Sequence, residues 1–160
     1  DHKNISTNYT TDMTVMSYNI VDAVYDNVGT LVSVANARFA VTPMAYDIAA
    51  LEAIYGHVDV ATENNTYSTG FSNGGITPPL FTGAKQSSTV KDDGGADTFN
   101  LSGYVGANGV TIDLNQAIDA NDVWQNKATI VGDEYIYIAR GTVIENAAND
   151  NDQPKIKMVA

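Results

Sequence analysis

The segment Lys91-Asp92-Asp93-Gly94-Gly95-Ala96-Asp97-Thr98-Phe99 puts carboxylate oxygens at both ends of a turn built around two glycines. Glycine lets backbone carbonyls swing inward, and Asp92 and Asp97 add hard anionic oxygens, a donor set suited to Ca²⁺. An ordinary Asp-Gly turn feeding a strand uses the same residues without any ion. Thr14-Val15-Met16-Ser17-Tyr18 is a second cluster, an apolar pair beside a phenol, which taken alone reads as the end of a core strand. The chain has two histidines, His2 and His57, far apart in sequence. Two isolated imidazoles do not build a three-histidine zinc centre.

Composition bounds the chemistry further. Among 160 residues, 19 Asp and Glu stand against 8 Lys and Arg, a formal net charge of −11. That balance argues against nucleic acid and anionic membranes as partners and suits divalent cations, which relieve carboxylate repulsion while tying loops together. Plain solubility is the competing explanation for so acidic a chain. The absence of cysteine excludes disulfides, thiolate zinc sites and cysteine nucleophiles. No apolar run approaches the roughly 20 residues that span a bilayer, and the opening DHKNIST lacks the apolar core of a signal peptide, so the start reads as an internal cut. Asn4, Asn8, Asn64 and Asn100 each open an N-x-S/T triplet, a motif that recurs by chance in an Asn-rich chain.

These residues need elements to hold them. TPMAYDIAALEAIYG, Thr42 to Gly56, predicts a helix with Thr42 as N-cap, Pro43 at the first position and Gly56 as the stop. Met44, Ile48, Leu51 and Tyr55 fall on one apolar stripe, and Asp47 lies near the positive N-terminal end. Residues 19–41 read as a loop with short extended pieces. After Gly56 the chain turns to short segments rich in Thr, Ser, Gly and Asn, which marks a domain boundary there. Thr98-Phe99-Asn100-Leu101, Val110 to Leu114 and Tyr135-Ile136-Tyr137-Ile138 alternate with period two, as strands do. For the last of these the expectation is Ile136 and Ile138 buried, with both tyrosines on a partly wet face. The tail ends in Ile156 to Val159, either a terminal strand or a frayed end.

Taken in order, these blocks resemble the serralysin-type metzincin metalloproteases. VMSYN looks like their Met-turn, the 42–56 helix like the one that closes their catalytic domain, and the 91–99 turn like the start of their calcium-binding β-roll. Leu101-Ser102-Gly103-Tyr104, Thr111-Ile112-Asp113-Leu114 and Gly141 to Ala147 follow in the family's order. The resemblance implies an α+β fold: residues 1–56 as the end of a metzincin-like catalytic domain, and 57–160 as a mostly β, β-roll or β-sandwich-like calcium-binding region. It implies Met16 as an apolar floor beneath zinc and Tyr18 as a contact to zinc or the oxyanion in an intact enzyme. It implies calcium ligands at Asp92, Gly94, Gly95, Asp97, the Val143 carbonyl and the Glu145 carboxylate. Glu63, Asn65 and Tyr67 depart from the family pattern, and any contribution there is mainly backbone carbonyl.

Two departures qualify the implied activity. The HExxHxxGxxH motif that supplies zinc ligands and a glutamate base is absent, so zinc chemistry belongs to an upstream half of a parent protein acting on protein or peptide substrates. The repeated nonapeptides of a β-roll are replaced by NAANDNDQPKIKMVA. The expectation is a secreted, extracellular bacterial chain, inactive alone, that serves as calcium-stabilised scaffold. The alternative is a catalytically silent calcium-binding module for structure or assembly, able to self-associate through an edge strand at Ile156 to Val159.

Overall fold

The computed structural model describes residues 9–17, 20–25, 27–28, 30–33, 37–68, 85–101, 110–132, 134–148 and 156–159. Within them the chain is mixed α+β, mostly strand. Short extended pieces β1 (Val24–Tyr25), β2 (Leu31–Ser33) and β3 (Arg38–Ala40) precede the helix α1 (Ala45–Tyr55). Then come β4 (Thr66–Ser68), β5 (Lys85–Val90), β6 (Thr98–Asn100), β7 (Val110–Asp113), β8 (Thr129–Val131), β9 (Glu134–Ile138), β10 (Asn146–Ala148) and β11 (Ile156–Val159).

Six strands form one sheet in the order β11-β7-β8-β9-β5-β3, three form another in the order β10-β6-β4, and β1 pairs with β2. Among the described residues no sheet closes into a barrel, and β11, parallel to β7, lies at one edge of the large sheet.

The two larger sheets are linked by passes of the chain that lie over one another. β5 pairs parallel with β9, Gln86 opposite Glu134, and β6 pairs parallel with β10, Thr98 opposite Asn146. The offset along the sequence is the same in both sheets, so residues 86–100 and 134–148 are two stacked passes. β3 beside β5 and β4 beside β6 make a third, with Thr66 opposite Thr98. Asn65, Asp97 and Glu145 therefore hold equivalent places just before β4, β6 and β10. Phe99 of the middle pass is fully buried, and the Tyr67 ring meets it edge-on with centroids 6.0 Å apart.

One core lies along these passes, with Val90, Phe99, Leu101, Ile136, Ile138 and Ile144 among its members. Met44 and Ala45 pack with Ala117, Ile118 and Tyr137 in a second cluster. Tyr137 is thus only 1% exposed, against the expectation that both tyrosines sit on a partly wet face. The start of α1 covers that face, and a strand covered on both sides buries successive residues. Tyr135 alone is partly exposed.

The helix departs from expectation at both ends of its stripe. Its N-cap is Met44, because the Thr42 hydroxyl is taken by the Thr89 N–H of β5 at 2.8 Å. Asp47 caps instead, accepting the Met44 N–H at 2.8 Å. Gly56, at φ 85°, closes the helix as expected, its N–H donating to Glu52 O at 2.9 Å. Of the predicted apolar stripe Met44 is buried, while Leu51 and Tyr55 are exposed: the helix rests on the sheet through its first turns only. No described helix is long and apolar enough to cross a membrane.

Candidate metal centre

The acidic turn joins β5 to β6, and its shape follows from Gly95. At φ 118° a side chain is strained, and a Cβ built there would stand 2.2 Å from the Glu63 carbonyl oxygen. Glycine is thus required for residues 62–64 to lie against the turn. Gly94 is less constrained: a Cβ there would meet the Thr62 carbonyl oxygen at 3.7 Å, an ordinary contact.

Asp92 is buried and its carboxylate is occupied by protein donors. It accepts from the Tyr67 hydroxyl at 2.5 Å, from the Gly94 N–H at 3.1 Å and from Asn65 Nδ2 at 3.4 Å. Burial, then the Asp92 carboxylate, push the Tyr67 phenol above its usual range, so it stays protonated and donates. The Asp92 N–H donates to Thr142 Oγ1 at 2.9 Å, tying the turn to the pass above.

Asp97 differs. It is 1% exposed; Oδ1 accepts the Asn65 N–H at 2.8 Å, while Oδ2 is buried with no hydrogen-bond partner. Its own N–H donates to Glu145 Oε2 at 2.6 Å. A buried carboxylate oxygen left without a donor costs on the order of 1–3 kcal/mol or more, and a cation is one way to satisfy it. The orphaned oxygen, the Glu145 carboxylate one pass away and the glycine cradle at Gly95 offer oxygen donors of the kind a hard cation takes. Glu63 reaches the turn through its carbonyl, which also accepts Asn65 Nδ2 at 2.7 Å, while its side chain is exposed. Val143, whose side chain is exposed and carries no ligand atom, could contribute only its carbonyl.

The Met-turn-like segment docks on the helix start. Asp47 accepts from the Thr14 hydroxyl and from the Val15 N–H, the latter at 2.9 Å, and Met13 O accepts the Tyr46 N–H at 3.1 Å. Met16 is 78% exposed, so in this chain its thioether is not a buried floor, and Tyr18 lies outside the described residues. With only two histidines in the sequence, the residues present do not fit a three-histidine zinc site.

Two groupings were not anticipated from sequence. Asp12 is buried beneath β5 and β9, accepting from the Ser87 and Tyr137 hydroxyls at 2.5 and 2.9 Å and pairing with Arg38 Nη1 at 2.6 Å. Nothing local in Thr10-Thr11-Asp12-Met13 signals this. Among the described residues, the set whose metal-ligand atoms lie within 4.8 Å of one another is His57, Asp59 and Asp93, not the carboxylates of Asp92, Asp97 and Glu145. His57 and Asp59 stand two residues apart in sequence, but nothing in the sequence brings Asp93 to them.

No protein-family model matches this sequence, and no curated protein matches it either.

Proposed function

We propose that the chain is the calcium-stabilised scaffold portion of a secreted serralysin-like zinc metalloendopeptidase, without peptidase activity of its own. The observation that carries the scaffold reading is the buried, partnerless Asp97 Oδ2 in a residue whose own N–H donates to the Glu145 carboxylate of the neighbouring pass. Calcium there would join consecutive passes through oxygen ligands: Asp97 and Glu145 would hold it, and Gly95 lets the Glu63 carbonyl lie against the turn. The stacked parallel strands β4, β6 and β10 support the likeness to a β-roll-type region, and the docking of residues 13–15 on α1 supports the likeness to a Met-turn beside its closing helix.

The protease part of the reading rests on the order of the sequence blocks alone. It is tested by the parent gene: a HExxHxxGxxH upstream of Met16 supports it, and unrelated sequence there sinks it. The scaffold part is tested separately by calcium binding to this chain and to Asp97→Ala.

A second reading has its own observation. β11 lies at the edge of the six-stranded sheet, and an edge strand offers backbone donors and acceptors to another chain. A catalytically silent, calcium-binding module that assembles through this edge predicts concentration-dependent self-association, which sedimentation measures directly.

A further inference from the structure

We propose that His57, Asp59 and Asp93 bind one divalent transition ion of the zinc class, at a site separate from Asp97 and Glu145 and independent of the protease reading. His57 Nε2 lies 3.1 Å from Asp59 Oδ1 and 3.6 Å from Asp93 Oδ1. Ligands on a tetrahedral ion with bonds of about 2.0–2.1 Å stand roughly 3.4 Å apart, so these donors need little movement to close on one.

Two segments converge to make the set. Residues 57–60 follow the end of α1 without regular structure, and the 91–97 turn meets them through a reciprocal pair. The Asp93 N–H donates to Val60 O at 3.0 Å and the Val60 N–H to Asp93 Oδ2 at 2.9 Å. That pair anchors an Asp93 side chain only 7% exposed and turns Oδ1 toward the imidazole.

The far side of the imidazole carries the second argument. His57 Nδ1 is 3.0 Å from Glu52 Oε1, on the last turn of α1. A metal-bound imidazole ordinarily donates its other N–H to a carboxylate, which fixes the tautomer and orients the ring. In the metal-free chain Nε2 donates to Asp59 Oδ1 at 3.1 Å; an arriving ion displaces that proton, and with Glu52 keeping Nδ1–H the freed Nε2 lone pair lies between the two aspartates.

Charge agrees. Glu52, Asp59 and Asp93 bring three negative charges, and Lys91, in contact with Glu52 and Asp93, brings one positive. The two that remain are cancelled by a divalent ion on neutral imidazole. Lys91 takes one side of Asp93 Oδ1, and a carboxylate oxygen keeps a second lone pair. One imidazole nitrogen with two carboxylate oxygens favours Zn²⁺, Ni²⁺ or Co²⁺ over Ca²⁺, with water completing the shell of this exposed site. Its effect is to clip the helix end to the acidic turn.

The test titrates the full chain with Zn²⁺ by calorimetry and with Co²⁺ by visible absorption. We expect one ion per chain, unaffected by excess Ca²⁺, and four-coordinate cobalt bands. His57→Ala and Asp93→Asn each abolish binding, Glu52→Gln weakens it about 10–100-fold through the ring orientation, and His2→Ala leaves it unchanged. His57 is half exposed, so its variant folds, which circular dichroism checks. No saturable Zn²⁺ binding by the wild-type chain, binding that survives His57→Ala, or binding lost in His2→Ala each overturns the site.

Discussion

The Asp97 N–H donates to the Glu145 carboxylate at 2.6 Å, and one pass earlier the Asn65 N–H donates to Asp97 Oδ1 at 2.8 Å. Each pass thus gives a backbone donor to the carboxylate of the next, at the same position before β4, β6 and β10. The ladder uses one oxygen of Asp97 and leaves the other buried without a partner.

Calcium should therefore stabilise the fold. At free calcium a hundredfold above its dissociation constant, mass action contributes about 2.7 kcal/mol. For a chain of this size that raises Tm by several degrees, at roughly 2–4 °C per kcal/mol. Chelation should reverse the shift, Asp97→Ala should remove the calcium response, and Glu63→Ala should keep it, since Glu63 reaches the turn through its carbonyl. Melting curves indifferent to calcium and chelator would remove the ion from this turn.

Gly95→Ala should destabilise far more than Gly94→Ala. At Gly95 the new Cβ meets a backbone carbonyl 2.2 Å away at a positive φ, so the 62–64 segment must shift or the turn must open. Strain of this kind costs on the order of 1–3 kcal/mol before any loss of contact. At Gly94 the nearest atom is 3.7 Å away, and the expected cost is under about 1 kcal/mol. Urea unfolding of the two variants side by side checks the order; equal midpoints would mean that residues 62–64 do not press on the turn.

Local chemistry was legible in the sequence and long-range pairing was not. Asp92, Gly94, Gly95 and Asp97 lie within one turn, so their spacing alone announces it. β6, β7 and β9 were readable from alternation. The stacking of residues 86–100 on 134–148 was hidden, because Ser87-Ser88-Thr89 and Tyr135-Ile136-Tyr137 share a place in the fold and no sequence pattern. Tyr137 was misplaced because alternation assumes one wet face, and the cover over it comes from Met44 and Ala45, far away in sequence. The Leu51 and Tyr55 stripe has helical spacing without a surface to bury it among the described residues.

In chelator-treated protein His57 should titrate above its ordinary 6.5. The Glu52 carboxylate on Nδ1 raises it most, partial desolvation opposes, and Asp93 and Asp59 add to the rise against Lys91. A folded value above the unfolded one stabilises below about pH 6.5, and that contribution is lost as pH rises through the folded value. Asp93 has the opposite sign. Burial pushes it up, but the Lys91 ammonium and the Val60 N–H prevail and hold it below 3.8. Its contribution is present above that value and lost as pH falls through the folded one. Ring-proton NMR should show His57 moving back toward 6.5 in Glu52→Gln; an unshifted His57 in the wild-type chain would mean that Glu52 does not contact it in solution.

The strongest destabilisation is expected at Asp12, which joins the segment before β1 to the centre of the large sheet. Its carboxylate accepts from Ser87 and Tyr137 and pairs with Arg38, whose guanidinium also lies 4.4 Å from the Tyr135 ring centre. Tyr137→Phe removes one donor but leaves Asp12 two partners, so the cost should be about 1.5–3 kcal/mol, the range for a hydrogen bond to a charged group. Asp12→Ala leaves the largely buried Arg38 with the more exposed Asp22 at 3.2 Å as its remaining carboxylate partner among the described residues and leaves the Tyr137 hydroxyl without its acceptor, at a cost of about 3–5 kcal/mol. Because both substitutions act on one network, Asp12→Ala with Tyr137→Phe should cost less than the two separately. The coupling from a double-mutant cycle is the decisive quantity: strict additivity would show that the Asp12–Tyr137 bond contributes nothing, and that residues 10–13 are held to the sheet by other contacts.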